Sequence, residues 1–273
     1  MSRIDRYALF GHPVAHSRSP QIHALFARQS GQTLSYEAID VPPERFLARA
    51  GEFFDGGGRG CNVTFPHKQA ALQLAGTLTP RARLAGSINT LALRESGGLL
   101  GDNTDGVGLV RDLTGRMGLG LRGRRILLLG AGGAARGAIA PLLELHPAEL
   151  VLANRSAPRL EQLLAEFRPV AASLGVELGV AGDGACDLIV NATSASHSGE
   201  LPPMPARAVQ AGTICYDMFY GREGTAFTRW ALAAGAARAE MGLGMLVEQA
   251  AEAFHLWRGV LPDTAPVLAT ISA

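Results

Sequence analysis

Strand-length apolar runs alternating with helix-patterned segments predict an α/β chain of two α/β domains, the second of them a doubly wound sheet. Three observations carry this reading. Residues 126–129 are a continuous apolar run of the kind buried on both faces of a parallel sheet. The run leads into Gly130-Ala131-Gly132-Gly133-Ala134-Ala135, which supplies G-x-G-x-x-A, and an Ala-rich segment follows at helical spacing up to Leu145. Further apolar runs of strand length recur on both sides of this turn, separated by helical or loop segments.

The elements follow in chain order. Residues 7–10 read as a strand, and 20–27 as a helix with Ser19 at the N-cap and Pro20 in the first turn, where proline's missing N–H costs nothing. Residues 34–41 form the next strand. The helix expected over 43–54 is stopped by Asp55-Gly56-Gly57-Gly58. Residues 60–63 are a short buried strand, 68–74 are helical, and 88–93 with 99–102 form a hairpin around Ser96-Gly97-Gly98. Thr104 is placed to cap a helix from 105 to about 117, and the glycine-rich stretch 115–123 loops into the strand at 125. The domain boundary is set near Asp105, giving a first domain of residues 1–105 and a second of 106–240. Within the second, runs at 150–153, 176–180, 188–191 and 213–217 extend the sheet begun at 126. Residues 243–258 form a long amphipathic helix with Leu246, Ala250, Ala253 and Trp257 on its apolar face. With the rest of 241–273 it is expected to pack back on the first domain, which is then discontinuous in sequence.

The glycine turn has a chemical consequence. Glycines allow a sharp turn and close approach of a pyrophosphate, whose charge meets the unpaired N–H groups of the new helix. This is a Rossmann-like, dinucleotide-binding arrangement. An NAD-binding chain would place an acid after the second strand to hold the ribose 2′-hydroxyl. Here that place holds Asn154-Arg155-Ser156, with Arg159 one helical turn later. Guanidinium groups form forked bonds to phosphate oxygens, so the expected cofactor is NADP. The alternative for Arg155 is an ordinary solvated charge.

Composition narrows the function classes. The chain has 273 residues, 47% of them hydrophobic, enough to bury a proper core. Its 25 basic and 24 acidic residues leave a net charge of +1 without a run of either sign, so no nucleic-acid partner is expected. The charged start Met1-Ser2-Arg3-Ile4-Asp5-Arg6 lacks the apolar core of a signal peptide, and no stretch is long enough to span a bilayer, so a cytoplasmic location is expected. Cys61, Cys186 and Cys215 are widely separated, which predicts reduced, buried thiols and no metal site. Cys61 as a reactive thiol is the alternative.

Several polar clusters sit where an α/β fold exposes a ligand site. His16-Ser17-Arg18-Ser19-Pro20 sets two hydroxyls at a helix mouth, either as an anion site or with Ser19 as a simple cap. Asn62-Val63-Thr64-Phe65-Pro66-His67-Lys68 brings Thr64 and Lys68 out at a strand end. Lys68 is either a proton donor and acceptor or a solvated cation. Gly101-Asp102-Asn103-Thr104-Asp105-Gly106 adds a carboxylate, Asp105, which either serves chemistry or favours its helix dipole.

Taken in order, these segments resemble the shikimate dehydrogenase family over nearly the whole chain. The matching stretches are Gly11-His12-Pro13-Val14-Ala15-His16-Ser17-Arg18-Ser19-Pro20, the segments at Asn62 and Gly101, Gly86-Ser87-Ile88-Asn89-Thr90, the glycine turn, Asn154-Arg155-Ser156, Asn191-Ala192-Thr193-Ser194, Tyr216-Asp217-Met218-Phe219-Tyr220 and Gly242-Leu243-Gly244-Met245-Leu246. The resemblance implies NADPH-dependent, reversible reduction of 3-dehydroshikimate to shikimate in aromatic amino-acid biosynthesis. It implies that Ser17 and Ser19 hold the substrate carboxylate, that Thr64, Asn89, Asp105, Tyr220 and Gln249 bind ring hydroxyls or line the pocket, and that Lys68 and Asp105 are the catalytic pair. On the cofactor side it adds Thr193, Met218 and Gly242 to Gly130, Ala131, Gly132, Gly133, Ala134, Ala135, Asn154, Arg155, Ser156 and Arg159. Pro80 departs from the pattern, standing where many relatives carry an acid, and His12 and Cys61 replace commoner neighbours. The rival readings are a quinate/shikimate dehydrogenase using NAD or NADP, and a non-catalytic sensor of shikimate-like acids or dinucleotide. Arg155 and Arg159 speak against the first, Lys68 and Asp105 against the second. A homodimer is compatible with a sequence that does not determine the oligomeric state.

Overall fold

Two six-stranded sheets organise the chain, seen in a computed structural model that describes residues 4–205, 207–221 and 223–272. Of the charged start Met1-Ser2-Arg3-Ile4-Asp5-Arg6, the first three residues lie outside the described ones. Contacts divide the molecule into two compact units, one of Met1–Gly108 with Leu246–Ala273 and one of Leu109–Met245.

The first unit begins with β1 (Asp5–Gly11), α1 (Ser19–Gln29) and β2 (Leu34–Asp40). A short 3-10 turn at Pro43–Arg45 precedes α2 (Phe46–Asp55), so the helix expected over 43–54 is split. Its first residues follow proline-restricted backbone and wind more tightly before α-helical bonding begins. Next come β3 (Gly58–Val63), a 3-10 helix at Ala70–Leu74, β4 (Thr77–Leu78), α3 (Pro80–Ala85), β5 (Thr90–Leu93) and β6 (Leu99–Asp102). The helix expected over 68–74 is thus shorter and tighter, and Lys68 sits in the turn before it. The sheet runs β2-β1-β3-β5-β6-β4. Its β1, β2 and β3 pair in parallel, whereas β5 is antiparallel to both β3 and β6, as a hairpin requires. Phe10, Phe46, Phe53, Cys61, Ile88 and Leu91 pack its core.

α4 (Asp105–Arg111) follows β6 and passes directly into a π-helical turn, Asp112–Arg116. Thr104 stands at the expected cap position and its carbonyl accepts the Gly108 N–H, while its hydroxyl is engaged by Asn89 and Gln249 and an Asn103 oxygen accepts the Asp105 N–H.

In the second unit β7 (Arg125–Leu129), α5 (Gly133–Leu143), β8 (Glu149–Ala153), α6 (Ala157–Leu174), β9 (Glu177–Val180), β10 (Leu188–Asn191), α7 (Ala195–Ser198), β11 (Ile214–Asp217), α8 (Ala226–Ala233) and β12 (Arg238–Met241) follow one another. All its strand pairs are parallel, in the order β12-β11-β10-β7-β8-β9. Counted from β7, this is the doubly wound order whose direction reverses between β7 and β10. Leu127, Leu129, Val151, Ile189 and Phe227 are among its core residues.

α9 (Leu243–Arg258) and α10 (Thr264–Ser272) end the chain. The C-terminal helices pack on the first unit: Trp257 stacks on Tyr7 at 4.7 Å between ring centroids and donates to Leu91 O at 3.0 Å. Gly60 makes room for that indole, since a Cβ there would lie 2.5 Å from its nitrogen. No helix among the described residues is long and apolar enough to cross a membrane.

Candidate functional site

In the first unit the polar segments at strand ends converge. β3 ends at Val63 and delivers Thr64 and Lys68, β5 begins at Thr90 just after Asn89, and β6 ends just before Asp105. The antiparallel β5/β6 register pairs Thr90 with Asp102, so the residues flanking them emerge together. Lys68 Nζ donates to Asp105 Oδ2, with the two side chains only 18% and 7% exposed. A charged pair this secluded interacts more strongly than a surface pair, because little solvent screens it.

Asn89 holds the pair in place. Its Nδ2 donates to Asp105 Oδ1 and to Thr104 Oγ1, each at 2.9 Å, and lies 3.3 Å from Gln249 Oε1. Its Oδ1 accepts from the Thr104 N–H at 2.8 Å. Both carboxylate oxygens of Asp105 are therefore committed, one to an ammonium and one to an amide, which fixes its rotamer. Gln249, on α9, completes the cluster and donates to Leu246 O at 2.9 Å.

Around this core lie partners that pattern reading did not single out. Asn62 donates to Asn89 O at 3.2 Å and to Thr90 Oγ1 at 3.0 Å, while its own oxygen accepts from Tyr36 OH at 2.8 Å. Asp102, fully buried, accepts from Arg81, from Thr79 Oγ1 at 2.6 Å and from the Asn103 N–H at 2.8 Å. Its carboxyl lies below the usual range: burial pushes it up, but the Arg81 and Thr79 hydrogen bonds outweigh that. The available signal was a polar residue at the end of an apolar strand.

Ser19 is the first residue of α1 and not its cap, a position that falls to Arg18. Ser17 Oγ accepts from the Ser19 N–H and donates to Ser19 Oγ, both at 3.2 Å, so the two hydroxyls stand side by side at the helix mouth. Thr64 is half-buried against Gly11, whose missing Cβ leaves room for its methyl group.

The second unit carries the residues expected on the dinucleotide side, at the ends of its parallel strands. Gly130 leaves β7 with φ +113°, a backbone state other residues avoid, and a Cβ there would lie 3.1 Å from Ala192 O. Ala131, Gly132, Gly133, Ala134 and Ala135 carry the chain into α5, whose N-cap Gly132 has open space where a side chain would project. The start of a helix opened by glycine suits a pyrophosphate, which its backbone N–H groups and dipole favour. At the end of β8, Asn154 Nδ2 donates to Ser156 O at 3.0 Å and shapes the turn, while Arg155 and Arg159 are exposed. Neither guanidinium has an acidic partner among the described residues. This unpaired cationic turn fits a 2′-phosphate.

Beyond β10 and β11 a buried network sets the remaining positions. Thr193 Oγ1 donates to Asn191 Oδ1 at 2.7 Å, Asn191 Nδ2 donates to Asp217 Oδ1 at 3.2 Å, and Ser196 Oγ donates to Asp217 Oδ2 at 2.6 Å. Asp217 also accepts the Phe219 N–H at 3.1 Å. Burial raises its carboxyl above the ordinary value, against those hydrogen bonds. Met218 donates its N–H to Asn191 O at 2.9 Å, and Gly242 lies so close to the Met218 carbonyl that a side chain would collide with it. Tyr220 is half-buried beside Phe219, at 5.9 Å between centroids. It belongs to the second unit, unlike the other expected substrate-side residues.

All three cysteines are free and buried. Burial alone raises the Cys61 thiol far above its ordinary value, which makes it a packing residue and not a nucleophile. Among the described residues no group of three or more His, Cys, Asp or Glu side chains could hold a metal ion.

Comparison with known proteins places the chain in a family. Residues 9–91 match the shikimate dehydrogenase substrate binding domain, residues 113–199 the shikimate / quinate 5-dehydrogenase model, and residues 242–271 the shikimate 5'-dehydrogenase C-terminal domain. A relative from Methylococcus capsulatus named shikimate dehydrogenase (NADP(+)) is 53% identical over 273 residues, covering all of this chain and 98% of that protein. Among solved structures, an Ael1 enzyme from Pseudomonas putida has a TM-score of 0.89 at 43% identity, covering 98% of each chain. Shikimate 5-dehydrogenase from Thermus thermophilus, in complex with NADP(H) and shikimate, has a TM-score of 0.84 at 36% identity, covering 99% of this chain and 100% of that one. The chain belongs to the shikimate dehydrogenase family.

Proposed function

We propose that the chain catalyses the NADPH-dependent, reversible reduction of 3-dehydroshikimate to shikimate, a step of aromatic amino-acid biosynthesis by way of chorismate. The secluded pair of Lys68 and Asp105, locked by Asn89, carries the reading. When bound, NADPH supplies the hydride that reduces the C3 carbonyl.

The chain's own residues handle the proton and the orientation. Lys68 holds a proton at Nζ and delivers it to the carbonyl oxygen as negative charge develops there. Asp105 aims the ammonium through Oδ2 and grips a neighbouring ring hydroxyl, with Oδ1 kept in place by Asn89. Ser17 and Ser19 hold the carboxylate, and Thr64, Asn89, Gln249 and Tyr220 bind or border the ring hydroxyls. Side-chain hydroxyls near a helix start suit a carboxylate, since they donate without adding a competing charge.

The Gly130 turn and the start of α5 hold the pyrophosphate, the Asn154-Arg155-Ser156 turn with Arg159 the 2′-phosphate, and Thr193, Met218 and Gly242 border the rest of the dinucleotide. Residues 1–105 with 241–273 then form the substrate-binding, catalytic domain and 106–240 the NADP-binding domain. The division of contacts near Gly108 and Leu246 supports this partition. The proposal includes a cytoplasmic location, in keeping with a biosynthetic role, and a homodimer, which light scattering on the purified chain would test.

One spectrophotometric assay tests the activity: absorbance of reduced nicotinamide with shikimate or quinate, each against NADP⁺ and NAD⁺. Fast turnover is expected with shikimate and NADP⁺. A preference for quinate or for NAD⁺, or no turnover with any pair, would overturn the reading.

A further inference from the structure

The loop that carries Ser17 is anchored at its base by a histidine–aspartate contact that takes no part in the proposed chemistry. In the parallel ladder of β1 and β2, Gly11 lies opposite Asp40, which puts the Asp40 carboxylate beside the first residues of the loop. Asp40 Oδ1 meets His12 Nδ1 at 2.6 Å, and Oδ2 accepts the Val14 N–H at 3.0 Å. The Val14 carbonyl in turn accepts the Ser17 N–H at 3.0 Å. From Ser17 the path continues to Ser19 through the two contacts at 3.2 Å. The His12 N–H donates to Phe65 O at 3.0 Å, which ties the same loop to the segment bearing Thr64 and Lys68.

Asp40 and His12 are 44% and 49% exposed, so the pair adds little to global stability. Its effect is local. Both carboxylate oxygens are used, one on the imidazole and one on a main-chain N–H two residues further along, which clamps the loop at two points. The imidazole and the Val14 N–H hold the Asp40 carboxyl below its usual range, and His67 is the other titratable group acting on it.

We propose that Asp40, with His12 as its partner, is a positioning residue for the substrate carboxylate, acting through the Val14 peptide on Ser17 and Ser19. This rests on the reading above that the two serine hydroxyls receive that carboxylate. Truncating Asp40 frees the Val14 peptide, so the hydroxyl pair spends less time in the productive arrangement while the groups around Lys68 are untouched.

The test uses D40A, H12A, S17A and the double variant D40A/S17A of the full chain, with steady-state shikimate oxidation by NADP⁺. D40A is expected to raise KM for shikimate about 3- to 10-fold, with kcat and KM for NADP⁺ within about twofold of the parent. H12A, which leaves the Val14 hydrogen bond in place, is expected to raise it less. Because Asp40 acts through Ser17, adding D40A to S17A should change KM little further. A rise in S17A with no rise in D40A, independent additive effects in the double variant, or a fall in kcat equal to the rise in KM would each overturn the positioning role. A larger effect of H12A than of D40A would do the same. An unchanged KM in S17A would instead remove the carboxylate reading, and this proposal with it.

Discussion

Replacing Lys68 by Met removes the ammonium while keeping an unbranched side chain of similar reach. Asp105, 7% exposed, loses its cation but keeps Asn89 on Oδ1 at 2.9 Å and Asn103 on its main-chain N–H at 3.2 Å. One nearly buried carboxylate is left without its counter-charge, at a cost of about 3–5 kcal/mol. That does not exceed the roughly 5–15 kcal/mol stabilising an ordinary domain, so the variant should fold. Turnover should fare far worse. A positioned acid or base contributes about 10²- to 10⁴-fold, or roughly 2.7–5.5 kcal/mol of barrier. The assay is initial-rate shikimate oxidation with NADP⁺, alongside thermal unfolding and cofactor binding measured separately. A large loss of kcat with near-parental cofactor affinity is the expected outcome. Turnover within about tenfold of the parent, in a variant that folds normally, would take Lys68 out of proton transfer.

Three further outcomes follow from the same structure. Arg155→Ala should weaken NADP binding by roughly 1.5–3 kcal/mol, the scale of a hydrogen bond to a charged group, with little effect on NAD; equal losses for both cofactors would contradict a 2′-phosphate contact. Gly130→Ala forces a side chain onto φ +113° with a Cβ 3.1 Å from Ala192 O, so it should destabilise the second unit by about 1–3 kcal/mol, read by thermal unfolding, and an unchanged midpoint would argue against strain at the turn. His23 is fully buried against Tyr36 and Phe254, and burial, opposed by Asn62, lowers its pKa to about 3. Its folded pKa is depressed, so its contribution is intact above the unfolded value near 6.5 and is lost as pH falls from there toward 3. His23→Phe should flatten stability against pH in that window, on the order of several kcal/mol, whereas a parallel acid loss in the variant would assign the sensitivity to other groups.

Local chemistry made part of this protein readable from its residues alone. Strands such as β7, β8 and β10 are continuous apolar runs because both faces of a parallel sheet are covered, and the Gly130 turn is recognisable because few other residues tolerate its backbone. The cation at Arg155 needed only its place after the second strand. Other elements had no such local mark. β12, with Arg238 and Glu240, and the two-residue β4 are strands because a neighbour pairs with them. Thr104 reads as a helix cap, and its hydroxyl becomes a partner of Asn89 and Gln249 once β5, β6 and α9 are assembled. Asn89 and Gln249 stand 160 residues apart, and only the hairpin register together with the return of α9 brings them within reach. Residue type and short-range spacing determined which groups were capable of the chemistry. Strand register and the path of the last helix decided which of them meet, because hydrogen bonds between distant side chains depend on distances that no local pattern encodes.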